Sequence, residues 1–276
     1  MVEYKSTIDQ TYIYCGLDSV SRAIYMTYEC NAQYFNRTLN SNTVYTEIIA
    51  DKVYGTLERN VSCRRPQQCH MFHMKSIILV TKTTLRVILH TRNLSCTSLQ
   101  MNCFFKRDYN ALNPIHRQSL FEINNILKSC FLNEINFFTT ERSDCNIMMS
   151  GPTQIPLCIR IRDYFKGFDV EQIIVTAPVI DYSYPIHRIF NCKKENVIYV
   201  IPAESYKNKQ MYQFIGRTEN KMVSSTSPIE YHYKTVRVYL KNSTILVLMS
   251  SNISRSGLGT YTLRQLNHEY ALVLSQ

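Results

Sequence analysis

The chain has no tryptophan, and none of its apolar runs is long enough to cross a bilayer as a helix. The longest runs, Ile77-Ile78-Leu79-Val80 and Ile245 to Met249, have the length of strands. Its first residues, Met1 to Lys5, do not follow the basic-then-apolar pattern of a secretion signal. None of the ten cysteines stands in a Cys-x-x-Cys pair. They are therefore read as free thiols in a reducing compartment, not as a disulfide framework. The set Cys63, Cys69, His70 and His73 fits no common structural zinc spacing, so no metal is expected. Acidic residues are outnumbered, 21 Asp+Glu against 31 Lys+Arg, giving a formal charge of +10. That excess favours a polyanionic partner without naming it. No long Lys/Arg run marks a nuclear signal. Absent Trp and frequent Tyr, Asn, Ile and Lys fit an AT-rich genome.

What is present is globular: 276 residues, 45% hydrophobic and 19% charged, enough for one large domain or two small ones. An internal repeat decides between these. His73-Met74-Lys75 leads through Ile77-Ile78-Leu79-Val80 and a polar turn into Leu85-Arg86-Val87-Ile88-Leu89-His90-Thr91-Arg92-Asn93-Leu94-Ser95. His232-Tyr233-Lys234 leads through Val236-Arg237-Val238-Tyr239-Leu240 and another polar turn into Thr244 to Ser251, then Asn252-Ile253-Ser254. In both copies 18 positions separate the Lys from the Asn. Each copy reads as a β-hairpin of β-branched strands. The repeat predicts two similar halves, residues 1–145 and 146–276. An amphipathic helix is expected over 114–132, and buried strands over 170–180 and 197–201.

The repeat also carries chemistry. Side chains at i and i+2 of a strand share a face, so His73 with Lys75, and His232 with Lys234, are expected to point the same way. Asn93 and Asn252 would reach that face from the neighbouring strand. Brought together, two such sets form a phosphate pocket. The ammonium and amide groups bind the non-bridging oxygens. One histidine attacks phosphorus while the other donates and later recovers a proton. The lysines would supply the charge that a metal otherwise brings, so no cofactor is expected.

These residues resemble the His-Lys-Asn pattern of the tyrosyl-DNA phosphodiesterase I family, a branch of the phospholipase D superfamily. The common superfamily form adds an Asp five positions after the Lys; here Val80 and Tyr239 stand in those places, which points to the tyrosyl-DNA phosphodiesterase branch. Leu85 to Leu94 looks like that family's first-half signature. Ser250-Ser251-Asn252-Ile253-Ser254-Arg255 and Glu269-Tyr270-Ala271-Leu272-Val273-Leu274 echo the second.

The resemblance implies an α/β fold of two similar α-β-α sandwich halves related by pseudo-twofold symmetry, phospholipase D-like. It implies His73 as nucleophile and His232 as general acid, then base. Lys75, Lys234, Asn93 and Asn252 would clamp the phosphate, and Glu269 would orient a histidine. Ser254, Arg255, Arg92 and Pro202 would lie near the substrate. The expected partner is a DNA 3′ end carrying a tyrosyl peptide, bound by a monomer without membrane contact, in the nucleus or at a viral replication site. A related nuclease, a phospholipid hydrolase and a non-catalytic DNA-end binder are the alternatives. Two departures stand out: the family's first-half Gln position is Phe104 here, with Gln100 or Asn102 as nearby substitutes, and a second histidine before the nucleophile is Phe72. Arg64-Arg65, Lys106-Arg107 and Lys193-Lys194, with Arg92 and Arg255, are expected to line a DNA groove. Phe72, Phe104 and Phe105 read first as core, with base stacking as the second reading.

Overall fold

The computed structural model of the chain describes residues 2–5, 8–40, 43, 45–65, 71–95, 100–110, 147–151, 155–181, 183–201, 221–224, 230–231, 234–260 and 267–275. The helix expected over 114–132 lies outside them. The chain divides into two compact units, Met1–Ser98 with Asn102–Cys145 and Asn146–Gln276 with Leu99–Met101.

The first unit is built on the strands β1 (Val2–Lys5), β2 (Arg22–Asn31), β3 (Tyr45–Tyr54), β4 (Val61–Arg64), β6 (Ser76–Val80), β7 (Thr84–His90) and β8 (Gln100–Asn110), with a two-residue strand β5 (Met71–Phe72) before β6. Their order across the sheet is β1-β8-β7-β6-β2-β3-β4. Strands β2, β3 and β4 run parallel, and β6, β7, β8 and β1 continue the sheet antiparallel. Parallel neighbours need a crossover, and α2 (Ala32–Thr38) supplies the one from β2 to β3. It is capped where β2 ends, by Asn31 Oδ1 accepting from Tyr34 N at 2.9 Å. The first helix, α1 (Gln10–Tyr14), is pinned by Arg86 of β7, whose guanidinium donates to the Ile13 and Cys15 carbonyls and pairs in a fork with Asp108 at 2.6 and 2.7 Å.

The second unit repeats this plan. Its strands are β9 (Ile147–Ser150), β10 (Val170–Thr176), β11 (Val197–Ile201), β12 (Lys221–Ser224), β14 (Thr235–Leu240), β15 (Ser243–Met249) and β16 (Asn267–Ser275); a short β13 (Glu230–Tyr231) precedes β14. The path runs β12-β11-β10-β14-β15-β16, with β9 on the far side of β16. Parallel β10, β11 and β12 therefore stand where β2, β3 and β4 stand, and the antiparallel strands match one for one. The strand expected over 170–180 ends at Thr176; the chain then passes Pro178, which lacks the N–H that a ladder needs. The strand expected over 197–201 is β11.

Helix α3 (Leu157–Phe165) buries Leu157, Cys158, Ile161 and Phe165, positions that fall on one face at 3.6 residues per turn. They join Ile173, Val175, Val236, Val238, Val247 and Val273 in the core of this unit. The matching core of the first unit gathers Tyr25, Phe35, Ile48, Ile77, Leu79, Ile88 and Phe104. The alternate residues Ile24, Ile78, Val87 and Leu89 are buried as well. The sheet is thus covered on both faces, which is why these strands read as continuous apolar runs. Truncating one such residue to Ala costs about 2–5 kcal/mol.

Candidate active site

The two hairpins share one register. Ser76 pairs with Leu89 and Val80 with Leu85; 159 positions later Thr235 pairs with Leu248 and Tyr239 with Thr244. The ladder reaches one step beyond the strands in both copies: His90 N donates to the Lys75 carbonyl at 2.9 Å, and Met249 N to the Lys234 carbonyl at 2.8 Å. Each lysine is therefore the last residue held before its hairpin, and both side chains are fully buried.

Beyond the second strand a further backbone clip recurs. Leu94 N donates to the Glu29 carbonyl at 3.1 Å and its own carbonyl accepts from Asn31 N at 2.8 Å. Ile253 N donates to the Val179 carbonyl at 3.3 Å and its carbonyl accepts from Asp181 N at 2.7 Å. The chain leaving the hairpin is thus stitched to the last residues of β2 in the first unit and to the chain just beyond β10 in the second. Asn93 and Asn252 each stand one residue before the clip. Both are half-buried, and each leaves its Oδ1 buried with no hydrogen-bond partner among the described residues. A buried amide left incomplete costs about 1–3 kcal/mol, and the same cost recurs at equivalent positions.

One expectation is corrected. His73 and Lys75 were expected on one strand face, but 73–75 lies between β5 and β6 and is not a strand. Lys75 Nζ instead folds back to donate to the His73 carbonyl at 2.8 Å, a bond between i and i+2 that a flat strand would not make. His73 is half-buried, and its ring meets that of Tyr28 at 5.8 Å between centroids, tilted 46°. His232 and Pro202 lie outside the described residues, as do Cys69 and His70.

Glu269 is fully buried on β16. It accepts from Ser250 Oγ at 2.5 Å and from Asn267 Nδ2 at 3.2 Å, while Tyr270 N donates to the same Ser250 oxygen at 2.9 Å. The first unit shows what replaces it. Met249 pairs with Ala271, and its repeat mate His90 pairs with Phe104. Two residues back along β16 is Glu269, and two residues back along β8 is Asn102. Asn102, not Phe104, holds the register position of the acid; Phe104 is core and fully buried. Sequence spacing alone pointed to Phe104 because β8 enters its ladder two residues earlier than a count from Asn93 suggests.

The remaining expected contacts divide. Ser254 caps the short helix α4 (Arg255–Leu258), its Oγ accepting from Gly257 N at 3.2 Å. Arg255 is exposed at the first turn of that helix. Gly257 is required by close approach: a Cβ there would fall on the Ser251 hydroxyl and 3.0 Å from the Asn252 carbonyl. Arg92, expected in an exposed groove, is instead 5% exposed and donates to the Ser95 carbonyl at 2.9 Å. It lines a recess with Ile8, Tyr34, His90, Asn93 and Leu94 whose free volume is about 10 Å³, room for one water. Arg64 pairs with the buried Glu47 at 2.9 Å, Lys106 lies over the Tyr12 ring, and Phe72, Phe104 and Phe105 are core. His90, for which no role was expected, is buried beside Asn93.

Two mixed sheets of one topology, each ending in a buried lysine and a clipped asparagine, define a phospholipase D-like fold. Among solved structures the chain is similar to the tyrosyl-DNA phosphodiesterase of yeast, with a TM-score of 0.73 at 12% identity over 100% of this chain and 89% of that one. A His-to-Ala mutant of the yeast protein matches at 0.71 and 12% identity over 94% and 84%. The polyphosphate kinase of Porphyromonas gingivalis matches at 0.57 and 8% identity, over 99% of this chain and 47% of that one. No family model matches the chain, and no curated protein does.

Proposed function

We propose that the chain is a metal-independent phosphodiesterase that removes tyrosyl adducts from DNA 3′ ends, as a DNA-repair enzyme, through a covalent phosphohistidine. One observation carries this reading: the same buried lysine and the same incompletely bonded asparagine recur in identical register at the ends of two equivalent hairpins. A buried ammonium is stabilised by an anion, and an amide presents a donor to that anion through Nδ2. A phosphate diester can accept from both the ammonium and the Nδ2 donor, and a formal charge of +10 suits a nucleic-acid ligand. The fold likeness to yeast tyrosyl-DNA phosphodiesterase supports the same class.

In the first step a neutral imidazole nitrogen of His73 bonds to phosphorus, and the bond from phosphorus to the tyrosyl oxygen breaks. That oxygen takes its proton from His232. In the second step His232 accepts a proton from water, whose oxygen displaces His73 and leaves a 3′-phosphate. Lys75, Lys234, Asn93 and Asn252 hold the non-bridging oxygens throughout.

The decisive experiment supplies a 3′-phosphotyrosyl oligonucleotide in EDTA, beside plain single strands and phosphatidylcholine. Release of tyrosine with EDTA present is expected, together with a covalent His73–DNA species that accumulates in His232→Ala and is absent from His73→Ala. Preference for the lipid, or loss of turnover in EDTA, contradicts the reading.

A further inference from the structure

The half-buried ring of His73 sits on a segment outside any strand, so the ladder that fixes Lys75 does not fix the imidazole. Tyr28 reaches it from the end of β2. Its neighbour Glu29 is the residue whose carbonyl receives the Leu94 clip, so the Tyr28 backbone is tied to the same stitch as Asn93. The Tyr28 ring is in turn steadied from β3: Lys52 Nζ stands 5.0 Å from its centroid and 3.7 Å from Glu29 Oε1. Lys52 lies opposite Glu29 in the parallel register. A cation over an aromatic face is attracted by the ring quadrupole. A side-chain hydrogen bond with Tyr28 raises the Lys52 pKa above its ordinary value.

We propose that Tyr28, held by Lys52 and Glu29, is a positioning residue for His73: its ring walls one side of the imidazole and limits rotation, so that the nucleophilic nitrogen is presented to phosphorus. The inference rests on the proposed role of His73. It assigns the work to the aromatic face and not to the phenol, since the contact is ring to ring, tilted at 46°. Small misplacements of a reacting atom are costly, with 1 Å worth up to about a hundredfold in rate.

Turnover of the 3′-phosphotyrosyl oligonucleotide by Tyr28→Phe and Tyr28→Leu tests it. Tyr28→Phe is expected to keep kcat within about twofold, and Tyr28→Leu to lose about tenfold in kcat with KM little changed, the pattern of a displaced nucleophile. Wild-type kcat in Tyr28→Leu overturns the proposal, and so does an equal loss in Tyr28→Phe. A measurement independent of activity separates this failure from failure of the functional reading. In the full chain, a nuclear Overhauser effect between the Tyr28 ring protons and the His73 imidazole protons supports the wall, and its absence overturns it, even if the wild-type chain turns over no phosphotyrosyl substrate.

Discussion

The two units are alike in backbone and unlike in charge. The hairpin registers coincide, the lysines are buried alike, and the clips at Leu94 and Ile253 use the same pair of backbone bonds. Around this shared frame the second unit places a buried carboxylate, Glu269, bonded by Ser250 and Asn267. The first has Thr91, Asn102 and Gln100 at the matching places. Backbone geometry is thus duplicated while the charge at the matching register positions is not. The proposed division into one nucleophile and one proton donor calls for such a difference between the units, since equal partners would not set two titratable groups apart.

The shared part of the comparison is broken most severely at the lysines. Lys75→Ala and Lys234→Ala are each expected to lower kcat by about a hundred- to a thousandfold, the range for losing one preorganised donor to a developing oxyanion. Comparable losses support equal roles; a variant that keeps near-wild-type kcat removes its half from the phosphate site. This symmetry was legible in the sequence because it rests on local facts. The 18-residue interval fixes a two-strand hairpin, and a fixed turn length fixes register. The clips were not legible. Leu94 meets Glu29 and Asn31 across more than 60 residues, and nothing in the composition of either segment encodes a backbone meeting. The strand-face argument for His73 and Lys75 failed for a related reason: periodicity cannot show that the ladder stops at Lys75. Arg92 was misplaced because charge argues for exposure, whereas its guanidinium is held inside by the Ser95 carbonyl.

The unlike part is tested by removing each member of the Glu269/Asn102 pair. Glu269→Gln keeps the shape but deletes the charge and turns one of two accepting oxygens into a donor, and is expected to lower kcat by about ten- to a hundredfold, within the reach of general acid–base effects. Asn102→Ala is expected to cost less than about tenfold. Steady-state rates across pH 5 to 9 with the phosphotyrosyl oligonucleotide check both. If Asn102→Ala is the more damaging, the charge difference between the halves is not what separates their roles.

The smallest effect concerns where each unit keeps its thiols. Burial pushes the Cys30 thiol up to about 12 from an ordinary 9.0, and the Cys192 thiol up to about 11. Both then hold a proton in the folded chain at pH values where the unfolded chain has lost it. Stability is therefore complete below pH 9 and falls as pH rises, through about 11 for Cys192 and about 12 for Cys30. The two positions differ in consequence. Cys30 forms the backbone bridge to Leu94, so ionising it works against the clip that holds Asn93, whereas Cys192 lies in the core of the second unit and takes no part in the bridge at Ile253. Urea unfolding between pH 8 and 10.5 is expected to show a declining midpoint in the wild-type chain. Cys30→Ala is expected to flatten that decline more than Cys192→Ala does. Equal slopes in the two variants mean that alkaline pH loosens both halves alike, and that the Leu94 clip has no thiol-dependent weakness that the Ile253 clip lacks.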